Sequence, residues 1–199
     1  MALVATWASL LVGAVHLDVL AALNDIAHGR PSFPALVLVQ LRLPRAVLGC
    51  AVGFSLGLTG AAMQGLLRNP LADPGVVGVS GGAALGAVVV FYSGLAGALS
   101  LALPLGGIAG AVVAALALYG LAGRGAGTTT LILAGVTINS FASALTALAL
   151  NLSPNPYAAF EIMFWLMGSL SDRSLPQVWL ALPLMLAGWA LLMSSAPAL

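Results

Sequence analysis

The sequence predicts an all-α protein, a polytopic membrane helix bundle that forms a single transmembrane domain over residues 1–199. Two features of the composition lead to this prediction. Hydrophobic residues make up 61% of the chain and charged residues only 6%, and the mean hydropathy is +1.12. A soluble domain carries about 25% charged residues because its surface faces water, so lipid must be the main solvent of this chain. The net charge of +1 argues against nucleic acid as a partner, since phosphate binding requires a basic face.

Charged residues and proline or glycine breaks divide the chain into six candidate spans, each of which ideally needs about 20 mainly apolar residues. We expect these spans over residues 1–15, 46–67, 75–92, 98–121, 130–151 and 175–193. The stretch 16–45 holds both histidines and three of the six arginines. It is therefore predicted to be a loop outside the lipid, with a short interfacial helix over 19–26. A second interfacial helix is expected over 157–168, where the indole of Trp165 suits the membrane surface.

Small residues recur every four positions along three of the predicted spans. At that spacing they form a groove in which another helix backbone can approach closely, which is how helices pack in lipid. This pattern indicates a dense bundle and favours a multi-pass transporter or channel over a receptor with isolated spans. The packing residues are expected to be Gly49, Gly53 and Gly57 in the second span, Gly78, Gly82 and Gly86 in the third, and Gly106, Gly110 and Ala114 in the fourth.

A proline-rich segment joins the second and third spans and carries strong turn signals. Arg68 closes the first helix, where its charge favours the negative C-terminal end, and Pro70 prevents continuation. Asp73 suits an N-cap, with Pro74 at the first helical position. The residue types alone predict a well-formed hairpin between two spans. Its motif residues are Arg68, Asn69, Pro70, Asp73, Pro74 and Gly75.

Two arginines, Arg42 and Arg45, stand just before the second predicted span. In helical geometry, side chains at i and i+3 point the same way. They are either anchors whose heads reach the membrane surface or a docking point for acidic groups of a partner. The residues alone leave both interpretations open.

A polar stripe runs along the fifth predicted span, where Gly135, Asn139, Ser143 and Thr146 share one helical face. One interpretation is that Asn139, Ser143 and Thr146 line a translocation path. The other is that they form hydrogen bonds between helices, which such residues often do in membranes. The sequence does not choose between the two.

Motifs for enzymatic catalysis and for metal or cofactor binding are absent from the sequence. There is no H-E-x-x-H, Walker-type G-x-x-x-x-G-K-[ST], C-x-x-C or G-x-S-x-G. His16 and His28 are expected to be solvated surface residues, and the single cysteine, Cys50, a small packing residue. We therefore expect no metal, no cofactor and no enzymatic activity.

Several motifs together resemble the FecCD family of ABC-importer permeases. They lie at residues 41–45 (LRLPR), 60–75 (GAAMQGLLRNPLADPG), 78–83, 131–136 and 165–170. Members of this family bring iron–siderophore complexes, haem and vitamin B12 across the bacterial inner membrane. The resemblance covers nearly the whole chain, and its R-N-P-L-A-D-P-G block is highly specific.

The resemblance implies a permease of roughly ten helices per subunit that works as a homo- or heterodimer. Two cytoplasmic ATP-binding subunits and an extracytoplasmic substrate-binding protein complete the importer. In vitamin B12 importers of the family, arginines of the L-R-L-P-R motif meet acidic residues of the binding protein. Arg42 and Arg45 match those positions. Thr128 and Thr129 match the cytoplasmic gate region, and the hairpin motif at residues 68–75 lies on the cytoplasmic side.

Two features of the chain depart from the family pattern. The sequence stops at Leu199, before the segment that in the family contacts the ATPase, so the 199-residue chain is expected not to couple ATP hydrolysis to transport by itself. The family also places the stretch 16–45 outside the cell, although its three arginines favour the opposite orientation by the positive-inside rule. We follow the family orientation, because it assigns the outer arginines a role.

The leading functional hypothesis is therefore the permease subunit of an ATP-driven importer of an iron(III)–siderophore, or of haem or cobalamin. A secondary transporter or channel that works without ATP is the alternative. Such proteins usually keep ionisable residues at membrane depth, and this sequence has none in the middle of a predicted span. A purely structural membrane subunit is a third hypothesis, which the polar stripe disfavours.

Overall fold

The computed structural model describes residues 2–11, 17–153, 156–171 and 173–195. All regular secondary structure in this part of the chain is helical, which confirms the all-α prediction. A π-helical turn at Leu38–Arg42 joins α3 to α4, and a 3₁₀ turn at Pro74–Val77 precedes α5. The α-helices are α1 Ala2–Leu11, α2 Val19–Ala27, α3 Phe33–Val37, α4 Leu43–Leu67, α5 Val79–Tyr92, α6 Leu95–Ala98, α7 Ala102–Ala122, α8 Thr128–Asn151, α9 Pro156–Met167 and α10 Leu175–Ser195.

Four helical stretches are long and apolar enough to cross a membrane: Phe33–Leu67, Ala102–Ala122, Thr128–Asn151 and Leu175–Ser195. They match the second, fourth, fifth and sixth predicted spans. The third predicted span is the short helix α5, of 14 residues, preceded by the 3₁₀ turn. The first predicted span is helical over Ala2–Leu11, and its last residues lie outside the described part. Both predicted interfacial helices are present, as α2 and α9.

The start of the longest helix differs from the sequence prediction. Residues 33–45 were expected to be loop, but the helical stretch begins at Phe33 and continues for 35 residues. Ser32 caps its first turn, with its side chain accepting a hydrogen bond from the amide of Ala35, and Pro34 stands in the first turn where it costs no hydrogen bond. A helix of this length rises about 50 Å, which exceeds the roughly 30 Å of hydrocarbon. Part of the helix must therefore extend beyond the hydrocarbon, and a charged residue such as Arg42 can lie within the helix in that part.

The chain forms two compact units. The terminal unit consists of residues 1–62 and 170–199, and the central unit of residues 63–169. The prediction of a single domain over residues 1–199 stays a prediction.

Polar and aromatic contacts hold α4 against its neighbours in the terminal unit. The hydroxyl of Thr6 on α1 lies 2.8 Å from the thiol of Cys50 on α4. The indole N–H of Trp189 on α10 donates to the Ser55 hydroxyl at 2.9 Å. The same indole meets the ring of Phe54 edge to face, with centroids 4.6 Å apart, a favoured aromatic geometry.

The core of the central unit is the packing of α5 against α7 and α8. Contacts between α5 and α7 run in opposite directions along the two helices, from Gly82 near Ala114 to Val90 near Gly106, so these helices are antiparallel. Contacts between α5 and α8 run in the same direction along both helices. They start with Gly81 near Asn139 and end with the Tyr92 hydroxyl, which donates to the carbonyl of Ala149. Helix α5 is therefore parallel to α8 and lies in contact with both partners.

Candidate functional site

The hairpin between α4 and α5 begins with a Schellman motif. The amide of Arg68 donates to the carbonyl of Gly65 at 3.2 Å, and the amide of Asn69 to that of Gln64 at 3.1 Å. These two bonds satisfy carbonyls that the helix end would otherwise leave unpaired. Arg68 adopts φ 47°, in the left-handed region that normally favours glycine. The helix therefore ends at the predicted residue, with an arginine in a conformation that costs it free energy.

Side chains of the motif complete the hairpin. The Gln64 amide donates to the carbonyl of Pro70 at 2.9 Å, and Asn69 accepts from the amide of Leu71 at 2.9 Å. Asp73 accepts from the amide of Gly75 at 2.7 Å, and Pro74 follows it in the first turn. The N-cap predicted at Asp73 is confirmed, but it caps the 3₁₀ turn Pro74–Val77 rather than α5. The hairpin is therefore closed by hydrogen bonds among its own residues.

The end of the hairpin packs directly on the backbone of α8. Gly78 has φ 81°, and a Cβ atom added there would lie 2.6 Å from the carbonyl oxygen of Gly135. A Cβ atom on Gly135 would in turn lie 2.9 Å from the Cα of Val77. Real Cβ atoms do not approach this closely, so this contact requires glycine on both sides. Gly135, the first residue of the polar stripe, is thus a packing residue.

The three polar members of the stripe are less enclosed. Asn139 and Ser143 are exposed and Thr146 is half-buried. The Asn139 carboxamide lies over Gly81, where a Cβ atom would overlap its oxygen. Within the described residues, none of the three side chains makes a hydrogen bond, whereas the neighbouring Thr137 bonds the carbonyl of Leu133 on its own helix. Their polar groups are therefore available at the surface of α8.

Thr128 and Thr129, matched to the gate region, are the first two residues of α8. Both are exposed, and the helix begins at Gly127 without a hydrogen bond from a side-chain cap. They lie at the opposite end of α8 from Thr146. A translocation role for the stripe and a gate role for the threonines both stay predictions.

The structure separates the two arginines that sequence spacing had paired. Arg42 is buried, with 8% of its surface exposed. Its guanidinium donates to the carbonyls of Leu10 and Leu11 at 2.7 and 3.1 Å. Arg45 is exposed and lines an open trough of about 910 Å³ along α4. Of these two arginines, only Arg45 is exposed.

The two glycine stripes also differ. A Cβ atom on Gly82 would lie 2.8 Å from the Gly110 carbonyl oxygen, and one on Gly86 2.9 Å from the Gly110 Cα. Along α4, by contrast, no described atom lies within 4 Å of a Cβ placed on Gly53 or Gly57, and Gly49 would meet only Leu170, at 3.5 Å. Close backbone packing is present at the α5 stripe, and the α4 stripe forms the floor of the trough.

An apolar groove of about 600 Å³ between α5, α7 and α8 was not expected from the sequence. Val89, Val113 and Phe141 are among its lining residues. No sequence signal pointed to it, because its lining residues are almost all apolar, as on any helix face in lipid. The described residues also contain no cluster of three or more His, Cys, Asp or Glu side chains that could hold a metal ion.

Comparisons with known proteins support the motif resemblance. The sequence model of the FecCD transport family matches residues 1–199. The chain is 41% identical to the uncharacterized ABC transporter permease protein YvrB of Bacillus subtilis, over 78% of this chain and 45% of YvrB. It is 39% identical to the cobalamin import system permease protein BtuC of Halobacterium salinarum, over 86% of this chain and 46% of BtuC.

Two further matches cover almost all of the chain. The ferric enterobactin transport system permease protein FepD of Escherichia coli is 38% identical over 98% of this chain and 59% of its own length. An ABC transporter described as being of the metal-chelate type, solved in an inward-facing conformation, superposes with a TM-score of 0.80 at 27% identity, over 98% of this chain and 59% of that one. The chain thus spans about half the length of the relatives it matches.

Proposed function

Because the chain belongs to the FecCD transport family, we propose that it forms the membrane-spanning permease part of an ATP-driven importer. The observation that carries this proposal is the family match over residues 1–199, joined to a fold that superposes on an ABC transporter chain with a TM-score of 0.80. Four helices of membrane-spanning length support it. We place the protein in a bacterial inner membrane as a multi-pass subunit.

The proposed substrate is a large metal chelate. One relative is named for cobalamin import and another for ferric enterobactin import, at nearly equal identity to this chain. We propose an iron(III)–siderophore first, with cobalamin and haem as related candidates. Asn139, Ser143 and Thr146 are the groups we assign to the translocation path, because their side chains are not used in hydrogen bonds within the described structure.

The proposed partners are a second permease subunit, cytoplasmic ATP-binding subunits and an extracytoplasmic substrate-binding protein. The exposed charge of Arg45 supports docking of an acidic protein surface on its side of the membrane. The hairpin at residues 68–75 follows the end of α4 that is opposite to Arg45, and Thr128 and Thr129 begin α8. We propose that both segments face the cytoplasm.

An ATP-independent secondary transporter or channel is the second candidate. The sequences of α7, α8 and α10 contain no Asp, Glu, Lys, Arg or His. Coupling to protons or ions normally uses such residues at membrane depth. The long apolar helices therefore favour an importer whose energy comes from a separate ATP-binding subunit.

The test is uptake in cells that lack their own ferric-siderophore and cobalamin permeases. The chain is produced as part of a full-length permease, together with the ATP-binding subunit and the binding protein, and the uptake of radiolabelled ferric siderophore and of radiolabelled cobalamin is measured. We expect uptake of one of them, and its loss when the ATP-binding subunit carries a substituted Walker lysine. Uptake that survives this substitution would favour the secondary transporter, and no uptake of either chelate at normal membrane levels would contradict the proposal.

A matched pair of asparagines tests the proposed path. Asn139→Ala removes a polar group from the stripe. It is expected to lower uptake about tenfold, because the passing chelate loses a hydrogen-bonding group of the path. Asn151→Ala is the control, since Asn151 lies at the end of the same helix and bonds the carbonyl of Ala147. Equal uptake by both variants would remove Asn139 from the path.

A further inference from the structure

The charged side chains of the central unit are few, and they lie in two places along the chain. Residues 63–169 contain no lysine and no histidine. Three charges belong to segments that we propose to face the cytoplasm: the hairpin after α4 holds two, and the connection from α7 to α8 holds one. The fourth lies on α9, beyond the other end of α8. In chain order these residues are Arg68, Asp73, Arg124 and Glu161.

Glu161 is an exposed carboxylate on an otherwise apolar helix. It is the one charged residue of α9, which packs against α5 and α8. The next residue, Ile162, is only 2% exposed and marks the buried side of the helix. Phe160 and Phe164 are exposed like Glu161. Within the described residues the Glu161 carboxylate has no hydrogen bond or ion pair. Ionisable groups that membrane proteins keep on apolar helices are often functional.

The polar stripe on α8 offers hydrogen bonds without charge. Its three side chains, Asn139, Ser143 and Thr146, are uncharged, and neither α5 nor α8 contains Asp, Glu, Lys, Arg or His. An anion that leaves water needs a cation or several donors in exchange. On this unit, a chelate arriving from outside would meet the carboxylate of Glu161 and no cation until the proposed cytoplasmic end.

Ferric chelates differ in net charge according to the groups that bind the iron. Three hydroxamates lose one proton each and together balance the charge of Fe(III). Three catecholates lose two protons each and leave the complex strongly anionic. Fixed charges along a membrane pathway select solutes by the sign of their charge, and like charges repel more strongly where little water screens them. A lone carboxylate therefore disfavours the catecholate class.

We infer that Glu161 gives the importer a preference for ferric hydroxamates over ferric catecholates. This inference rests on the proposed function and names the substrate class within it. The uncharged side chains of α8 suit the same class, since they can bond the amide and hydroxamate oxygens of the chelate. Glu161 is thus a specificity-determining residue, which acts by the sign of its charge.

The test uses three forms of one hydroxamate siderophore, ferrioxamine B. The free form ends in an ammonium group, acetylation makes the complex neutral, and succinylation replaces the ammonium with a carboxylate. One binding protein delivers all three to the full-length permease with its ATP-binding subunit, and initial uptake rates are measured in cells. Because the binding protein does not change, a ratio of rates that differs between variants reports on the permease.

Glu161→Gln is expected to lower the ratio of ammonium-form to carboxylate-form uptake about fivefold, because the attraction of opposite charges is lost. Glu161→Lys should lower it further, since the sign is then reversed. An unchanged ratio in both variants would overturn the inference. Faster uptake of ferric enterobactin, a catecholate, than of every ferrioxamine would also overturn it and leave the proposed function intact. So would uptake of cobalamin with uptake of neither siderophore.

Two control variants separate charge from shape. Glu161→Asp keeps the carboxylate and should keep the parental ratio. Met163→Gln changes an exposed, uncharged residue of the same helix and should also leave the ratio unchanged. If Glu161→Asp or Met163→Gln lowers the ratio as much as Glu161→Gln, the effect does not come from the charge and the inference fails.

A second measurement needs no transport. Cys50→Ser removes the single cysteine, and Phe164→Cys places a thiol one helical turn from Glu161. A cationic methanethiosulfonate should react with this thiol faster than an anionic one, and Glu161→Gln should lower that ratio about fivefold. An unchanged ratio, or a thiol that neither reagent reaches, would overturn the inference. If the importer takes up no chelate, the proposed function fails, and the labelling still decides whether α9 presents a negative charge.

Discussion

Gly86 of α5 and Gly110 of α7 bring two helix backbones into direct contact: a Cβ atom added to Gly86 would lie 2.9 Å from the Cα of Gly110. The same added atom would lie closer still to the carbonyl oxygen of Gly106. These neighbours are backbone atoms, which cannot swing away as a flexible side chain can. The antiparallel pair of α5 and α7 therefore depends on the absence of a side chain at this position.

Gly86→Ala should destabilise the protein by about 2 kcal/mol, because the added methyl group forces the two helices apart. Gly57→Ala is the control, since no described atom lies within 4 Å of the new methyl group. It should be neutral or stabilising by up to about 1 kcal/mol, as alanine favours the helix over glycine. The measurement is unfolding in detergent, followed by tryptophan fluorescence. Equal stability of the two variants would show that the close packing at Gly86 contributes nothing.

Gly53→Leu tests whether the open glycine stripe of α4 receives another helix during assembly. We expect the variant chain to insert and to unfold at the parental temperature, since its side chain meets no described atom within 4 Å at the Cβ position. Its yield in the purified complex with the other importer subunits should fall, because a large side chain holds a neighbouring helix away. Normal assembly of the complex would indicate that this face contacts lipid.

Arg68→Gly should raise the stability of the protein by about 0.5–1 kcal/mol, because glycine adopts φ 47° without the penalty of a Cβ atom. Arg68→Ala keeps that penalty and removes the charge, so it separates the backbone effect from the electrostatic one. Thermal unfolding of the three proteins gives the comparison. A glycine variant no more stable than the alanine variant would mean that the left-handed conformation costs the hairpin nothing.

Ser55 and Trp189 are expected to be coupled by about 1 kcal/mol, the usual net value of one hydrogen bond. Trp189→Phe removes the donor and keeps an aromatic ring beside Phe54, and Ser55→Ala removes the acceptor. The double variant completes a cycle from which the coupling follows. If the separate effects simply add, the bond observed between α4 and α10 contributes no stability.

Several features were predictable from the residues because they arise from neighbours in the sequence. The hairpin at residues 68–75 is one of them. Its helix end at Arg68, its N-cap at Asp73 and the proline that follows all depend on contacts within six residues. The Thr128–Asn151 helix is another, since its apolar composition and length suffice to identify a span. The family could likewise be recognised, because its motifs are short and contiguous.

Other features depended on residues far away in the chain. A charge was expected to mark the start of the second span, and the prediction failed at residues 33–45 because the acceptors for Arg42 lie 31 and 32 positions earlier, on α1. Sequence spacing treated Arg42 and Arg45 as equivalent for the same reason. Nothing within the motif itself shows which arginine bonds the carbonyls of α1.

By itself the sequence determined that this protein is an all-α membrane bundle, where its hairpin turns, and to which family it belongs, since composition, caps and short motifs act locally. The tertiary structure decided which glycine stripe carries a close helix contact and which arginine is buried. The stripes at residues 49–57 and 78–86 have the same spacing, and only the presence of α7 and α8 against the second distinguishes them. Burial is a property of what lies opposite a residue, and in a helix bundle that neighbour comes from a distant part of the chain.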